Sequence, residues 1–428
     1  MEASESLLLA LVTIFGAFFL LVLWCWLLIL PTQRRWMIPR RSDQKVRCLV
    51  VLGSGGHTAE MLYDLESLGK LLNQLQIRYL VAETDRSSQA KAEAFEARHS
   101  GAAARVVRVP RAREVGQSYL SSIFTTLRAA WHSLLAVLGE PPDLVVTNGP
   151  GTCVPVVFAA HVVRLLCVRE VQVIYNESFA CVDHLSMSGR LLYHIAGSFT
   201  VQWPQLLAKY PKAHYAGRLY PSEQVETARF GRHRLPPAEL PALSLSQSSS
   251  GPLTAIVTVG STKFDSLIRA VDSKDFLALL HGMGIQRLKV QKGNGQHWPS
   301  NLGGENQPAV AGIDVEIFEY SQDLPTELQQ AALVISHAGA GTILDCLLAG
   351  RRVVVVPNEE LMNNHQVQLG MSLQEQRLLF CFRAGVLMQS LKEADFSSLR
   401  EFPRANSPVI AQLVCKMLGL RDGKTTSM

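Results

Sequence analysis

A chain of 428 residues with 48% hydrophobic and 18% charged residues is too apolar for a disordered protein and long enough to bury two globular cores. Its eight cysteines include no CxxC pair and no histidine partner at zinc spacing, which excludes a disulfide scaffold or a zinc module and fits a reducing compartment. The formal charge of +5 is small and uneven, and no nucleic-acid partner is expected.

The first element is an apolar run from Leu7 to Leu30 without a charged side chain. At about 1.5 Å per residue it makes a helix of roughly 36 Å, against a hydrocarbon core of about 30 Å. The start is acidic (Glu2, Glu5) and no small-residue cleavage site follows, so residues 1–33 read as a single transmembrane anchor and not a signal peptide. Arg34, Arg35, Arg40, Arg41, Lys45 and Arg47 lie on its C-terminal side, which places the rest of the chain in the cytosol and the cluster within reach of anionic headgroups.

Residues 34–220 alternate Val/Ile/Leu-rich runs ("CLVVLG", "RYLVAETD", "DLVVTNG", "VQVIYNE") with helical stretches, the pattern of a parallel sheet covered on both faces. After the first run, Gly53, Ser54, Gly55, Gly56 and His57 form a turn into a helix, where backbone N–H groups face an anion. Thr58 stands where a dinucleotide motif has its last glycine. His57 at a helix N-terminus is expected to be a neutral imidazole able to accept a proton, or else a residue that only bonds the turn. "TNGPGTCVP" (Asn148, Gly149, Gly151, Thr152) repeats the device, and "VIYNES" puts Asn176 and Glu177 at the next strand end. Glu177 is the second candidate base, with a helix cap or surface carboxylate as its bland alternative. Arg111 and Arg113 follow a strand and read either as a solvated face or as contacts for an anionic lipid acceptor.

Residues 221–252, rich in Pro, Ser and Leu, read as a linker. From 253 to 428 the strand–helix alternation resumes. In "ALVISHAGAGTILDCLLAG" a strand ends at His337, Ala338, Gly339, Ala340 and Gly341 open a helix, Thr342 lies in its first turn and Asp345 beyond it. Small residues let a diphosphate approach the helix N-terminus. The next loop carries Asn363, Asn364, His365 and Gln366, whose amide and imidazole groups suit sugar hydroxyls. Asp314 and Glu316 lie within one strand, where a metal role is not expected.

Together these motifs resemble glycosyltransferases of the GT-B fold: α/β, with two Rossmann-like doubly wound domains facing a crevice. More narrowly, residues 1 to about 220 ("GSGGHTAE", "VPRAREVGQS", "NGPGTCVP", "YNES", "VQWPQLLAKYP") resemble the membrane-anchoring subunit of the MurG-like endoplasmic reticulum transferase that adds the second N-acetylglucosamine to dolichyl pyrophosphate. Residues from about 253 ("VTVGSTKFDSLI", "ISHAGAGTILDCLLAG", "NEELMNNHQVQL") resemble its catalytic subunit, usually a separate polypeptide.

The resemblance implies an inverting transfer from UDP-GlcNAc to GlcNAc-pyrophosphate-dolichol with a new β1,4 bond, on the cytosolic face of the endoplasmic reticulum membrane, near other early enzymes of lipid-linked oligosaccharide assembly. It implies donor contacts from Gly260, Ser261, Thr262, His337 and the small residues after it, ribose contact from Asp345 where the family usually has Glu, and sugar contact from the loop at 363–366. The acceptor would meet the turns at Ser54–Gly56 and Asn148–Thr152. It implies no bound catalytic metal, with added Mg²⁺ at most a stimulant. The last helical stretch, "SPVIAQLVCKMLGL", resembles the helix by which the catalytic subunit docks onto the anchored one. Two other readings remain at this stage: a dinucleotide oxidoreductase using Gly53 and Gly55 with Glu83 and Asp85, and a non-catalytic membrane scaffold.

Overall fold

The computed structural model describes residues 45–112, 119–166, 168–216, 252–260, 262–303, 312–321, 324–359, 365–402 and 409–420. Two parallel sheets organise them. In the first, β1 (Val46–Val51), β2 (Leu75–Ala82), β3 (Val106–Val109), β4 (Leu144–Asn148), β5 (Gln172–Asn176), β6 (Ser198–Val201) and β7 (His214–Tyr215) lie in the order 3-2-1-4-5-6-7. In the second, β8 (Thr254–Thr258), β9 (Arg287–Gln291), β10 (Asp314–Phe318), β11 (Leu333–His337), β12 (Arg352–Val356) and β13 (Phe380–Cys381) lie in the order 10-9-8-11-12-13. Every residue of β4, β11 and β12 is buried, as continuous apolar strands require when helices cover both faces.

Helices α1 (Gly56–Ser67), α2 (Arg86–His99), α3 (Tyr119–Gly139), α4 (Cys153–Leu165), α5 (Met187–Leu192) and α6 (Gln205–Lys209) belong to the first sheet. Helices α7 (Asp265–Val271), α8 (Lys274–Gly282), α9 (Leu324–Gln330), α10 (Ala340–Leu348), α11 (His365–Glu375) and α12 (Leu387–Glu393) belong to the second. The last, α13 (Val409–Leu418), returns to the first: Ile410, Leu413 and Val414 pack in one core with Val46, Leu144 and Ile174. A further apolar cluster joins Leu49, Tyr63 and Val157 to Ile343, Leu347 and Val355, so the two halves share a core.

Strand order reverses between β1 and β4 and again between β8 and β11. Open parallel sheets bind ligands outside the carboxyl ends of their strands at such reversals. The turns at residues 53–57, 148–152, 260–262 and 337–341 all follow these four strands, which puts the sequence-predicted motifs at the two reversal points. Among the described residues no helix is long and apolar enough to cross a membrane. The expected anchor at 1–33 lies outside the described residues, as does the expected linker up to residue 251.

Candidate active site

Gly55, at φ 65°, ends the β1 turn and starts α1. The Thr58 hydroxyl, fully buried, donates back to the Gly53 carbonyl. The His57 ring lies against Gly149, where a Cβ would come within 2.4 Å of its Cε1, and Asn148 donates from Nδ2 to the His57 carbonyl at 2.8 Å. Nδ1 of His57 is buried with no partner among the described residues. Burial pulls its pKa down to about 4, so the imidazole is neutral at physiological pH. Ser54, Gly55 and Gly151 are exposed beside it.

In the second half the His337 ring occupies a slot between two glycines. A Cβ on Gly260 (φ 62°) would lie 2.5 Å from its Cε1, and one on Gly339 would lie 2.2 Å from its Nε2. His337 is also held neutral by burial, with its pKa at about 4. Thr262 donates from its hydroxyl to the Val259 carbonyl at 2.8 Å, which shapes the turn. Gln366 Oε1 accepts from the Asn358 amide N–H at 2.9 Å, and Asn358 Nδ2 donates to the Lys263 carbonyl at 3.2 Å, tying the loop after β12 to the loop after β8. His365 opens α11, Ala338 is buried under the turn, and Ala340 and Thr342 are half-buried at the start of α10. Arg111 is half-buried after β3. Arg113, Ser261, Asn363 and Asn364 lie outside the described residues.

The two glycine turns, far apart in sequence, meet. A Cβ on Gly341 would stand 3.1 Å from the Gly56 Cα and 3.7 Å from the Ala59 Cβ, so α1 and α10 approach backbone to backbone at their N-termini. One and two turns further along, the Tyr63 hydroxyl donates to Asp345 Oδ1. A second bridge between the halves runs from Gln368 Nε2 to Asp183 Oδ2 at 3.5 Å. Two helix N-termini side by side bring like partial charges together, an arrangement that an anion between them relieves.

Three groups expected on the acceptor side are engaged elsewhere. Glu177 is 1% exposed: Oε1 accepts from the Ser178 amide at 3.0 Å, and Oε2 accepts from the Ser186 amide at 3.1 Å and its hydroxyl at 3.2 Å. A Cβ on Gly189 would be only 2.0 Å from Oε2, so the glycine lets the loop close over this carboxylate. Glu177 is therefore a buried brace and does not face the crevice as a base. Asn176 is likewise buried, donating from Nδ2 to Asp64 Oδ2 at 2.8 Å and accepting from the Thr200 hydroxyl at 2.6 Å. Asn148 is 1% exposed, and its Nδ2 is engaged with the His57 carbonyl.

Sequence reasoning passed over Glu60 and Asp64. Glu60 accepts from the Ser178 hydroxyl at 3.0 Å and the Phe179 amide at 3.2 Å, and burial raises its pKa to about 7, as it does that of Glu177; Asp64 is raised as well. Their one signal is the i, i+4 spacing of two acids in a helix otherwise rich in Met, Leu and Tyr. Asp85 caps α2, accepting from the Ser88 amide at 3.0 Å and its hydroxyl at 2.6 Å, so it is not available as the ribose ligand of a dinucleotide.

Residues 48–219 match the family model described as oligosaccharide biosynthesis protein Alg14 like, and residues 254–409 match the glycosyltransferase family 28 C-terminal domain. The UDP-N-acetylglucosamine transferase subunit ALG14 of Mus musculus is 43% identical over 209 residues, covering 45% of this chain and 94% of the relative. Its Candida albicans counterpart is 39% identical, covering 47% and 91%. Among solved structures, Acinetobacter baumannii MurG superposes with a TM-score of 0.59 at 16% identity, over 87% of this chain and 99% of that one. A putative UDP-N-acetylglucosamine 2-epimerase from Listeria monocytogenes gives 0.57 at 12% identity, over 87% and 96%. Those two likenesses establish a GT-B-like fold of paired Rossmann-like sheets. The chain belongs to the Alg14-like family of oligosaccharide biosynthesis proteins and carries a family 28 glycosyltransferase C-terminal domain in the same polypeptide.

Proposed function

We propose that this protein transfers N-acetylglucosamine from UDP-GlcNAc to GlcNAc-pyrophosphate-dolichol, with inversion and formation of a β1,4 bond, in lipid-linked oligosaccharide assembly at the cytosolic face of the endoplasmic reticulum. The observation that carries this reading is the meeting of α1 and α10 at Gly56 and Gly341, one helix from each half, with His57 in the first turn of α1 and His337 at the end of the strand that leads into α10. In the reaction the acceptor hydroxyl attacks the anomeric carbon, the bond to UDP breaks, and the proton leaves to a base. The positive ends of the two helices and the donors around His337 stabilise the departing diphosphate. The small residues Gly339 to Gly341 let its oxygens reach backbone N–H groups.

His57 is the base in this scheme. It is neutral and therefore able to accept, and the negative charge of a bound diphosphate raises an imidazole's pKa from the low value that burial imposes. The Gln366 amide, whose Oε1 is fixed by Asn358, keeps its Nε2 for a sugar hydroxyl. Support for a lipid acceptor comes from the layer formed by α3, α4 and α5, which turns Phe124, Leu127, Trp131, Leu135, Phe158 and Leu191 outward beside Arg128.

The test is incubation of the full chain with UDP-GlcNAc and a GlcNAc-pyrophosphate-lipid, with mass spectrometry and linkage analysis of the extracted lipid. A chain-extended β1,4 product is expected. A folded, UDP-binding chain that extends no lipid would support the scaffold reading instead.

A further inference from the structure

The geometry points to Tyr63, in the first half of the chain, as a donor-site residue: its hydroxyl holds the Asp345 carboxylate in the orientation that receives the ribose of a uridine nucleotide. This inference rests on the reading of α10 as the donor helix. Gly341 and Asp345 lie one turn apart on the same face of α10, and Gly56, Ala59 and Tyr63 run along one face of α1. The helices touch backbone to backbone at Gly56 and Gly341, and the same faces then meet through the phenol and the carboxylate.

A carboxylate repels a diphosphate and accepts from hydroxyls, so Asp345 suits the sugar next to the phosphate rather than the phosphate itself. Four residues at about 1.5 Å each set it roughly 6 Å from Gly341, close to the spacing between a nucleotide's α-phosphate and its ribose hydroxyls. Tyr63 is 1% exposed, so water does not replace its hydroxyl, whereas Asp345 is half-buried and open to a ligand. Fixing Oδ1 from the opposite half sets the carboxylate plane and leaves Oδ2 to accept from the ribose. Aspartate reaches one methylene less far than glutamate, and a side chain this short has few rotamers of its own that serve the purpose. The first half thereby contributes to donor binding without touching the donor.

The experiment is isothermal titration of the full chain and its Tyr63→Phe, Asp345→Asn and double variants with UDP and with 2′,3′-dideoxy-UDP, alongside kinetics with UDP-GlcNAc. The parent should prefer UDP by about tenfold or more. Tyr63→Phe should lose about tenfold in UDP affinity and bring the preference to within about twofold, with kcat at saturating donor within about threefold. The double variant should lose no more than Asp345→Asn alone. Equal losses for both nucleotides, which a packing role alone produces, would overturn the inference, as would tighter UDP binding by Tyr63→Phe, the mark of a contact that competes with the ribose. If Tyr63→Phe does not fold, Asp345→Asn at its half-buried site carries the test, and a retained preference there is enough to reject it. A parent that binds no UDP overturns the donor reading itself; one that binds UDP with Tyr63→Phe unchanged overturns only the role of Tyr63.

Discussion

Each candidate histidine rests on a glycine of the neighbouring turn, and this gives two matched perturbations with opposite kinetic signatures. In Gly149→Ala the new methyl would start 2.4 Å from His57 Cε1 and 2.8 Å from Nδ1. Normal carbon contacts are about 3.5 Å or more, so the ring must shift by about 1 Å. The φ of 40° adds roughly 1–2 kcal/mol of backbone strain. A 1 Å misplacement of a reacting group costs on the order of a hundredfold in rate. Gly149→Ala should therefore lower kcat about a hundredfold while leaving the KM for UDP-GlcNAc within about threefold, because the donor turn belongs to the other half. Gly260→Ala sets its methyl 2.5 Å from His337 Cε1 at φ 62° and should act on the donor instead, raising that KM about tenfold or more. Steady-state kinetics with both substrates varied, and UDP titration of each variant, distinguish the two. If both variants show the same split between kcat and KM, the assignment of His57 to the proton and His337 to the donor phosphates is wrong.

Glu60 gives a pH signature. Its pKa of about 7 against an ordinary 4.5 means the folded state holds a proton that the unfolded state has released, so its contribution is complete below about pH 4.5 and is lost as pH rises through 7. The gap corresponds to about 3 kcal/mol, and Glu60→Gln should flatten the decline in urea stability between pH 5 and 8; an unchanged slope assigns the decline elsewhere. Glu177→Gln should keep kcat within about fivefold, because the carboxylate braces a loop, while stability falls by about 1–3 kcal/mol as the Ser186 donors lose their acceptor. A collapse of kcat in a folded Glu177→Gln would return that residue to the role of base. Val414→Asp, at a fully buried site on α13, should cost about 3 kcal/mol or more and loosen the first sheet, read as lost hydrogen-exchange protection in β1 and β4.

What could be read from sequence divides by whether the physics is local. Strands β4, β11 and β12 are legible because a strand covered on both faces is apolar along most of its length, and "LVV", "LVI" and "VVVV" are such runs. The turns are legible for the same kind of reason: glycines such as Gly55, Gly149 and Gly260 sit at positive φ, which other residues rarely adopt. Glu177 was not legible. A carboxylate at a strand end carries no local mark of whether the following loop closes over it, and here that closure depends on Gly189, well downstream. The amphipathic pattern of α13 shows that a face must be covered but not which sheet covers it; only the resemblance pointed to the first.

The junction between the halves was the least legible feature, because its rule is pairwise. Gly56 alone is a helix start and Gly341 alone is another; neither shows that the small side chain of each serves the approach of the other. Asp345 makes the same point chemically. Read along α10 it is only a shortened version of the expected glutamate, a loss of reach. Read across to α1 it is an acid whose Oδ1 is already held by Tyr63. A hydrogen bond to a charged group contributes more than one between neutral groups, so the phenol offsets what the missing methylene gives up. On that argument the two residues work as a pair: Asp345→Glu in this chain should move the carboxylate off the position that the Tyr63 hydroxyl fixes, and should weaken UDP binding.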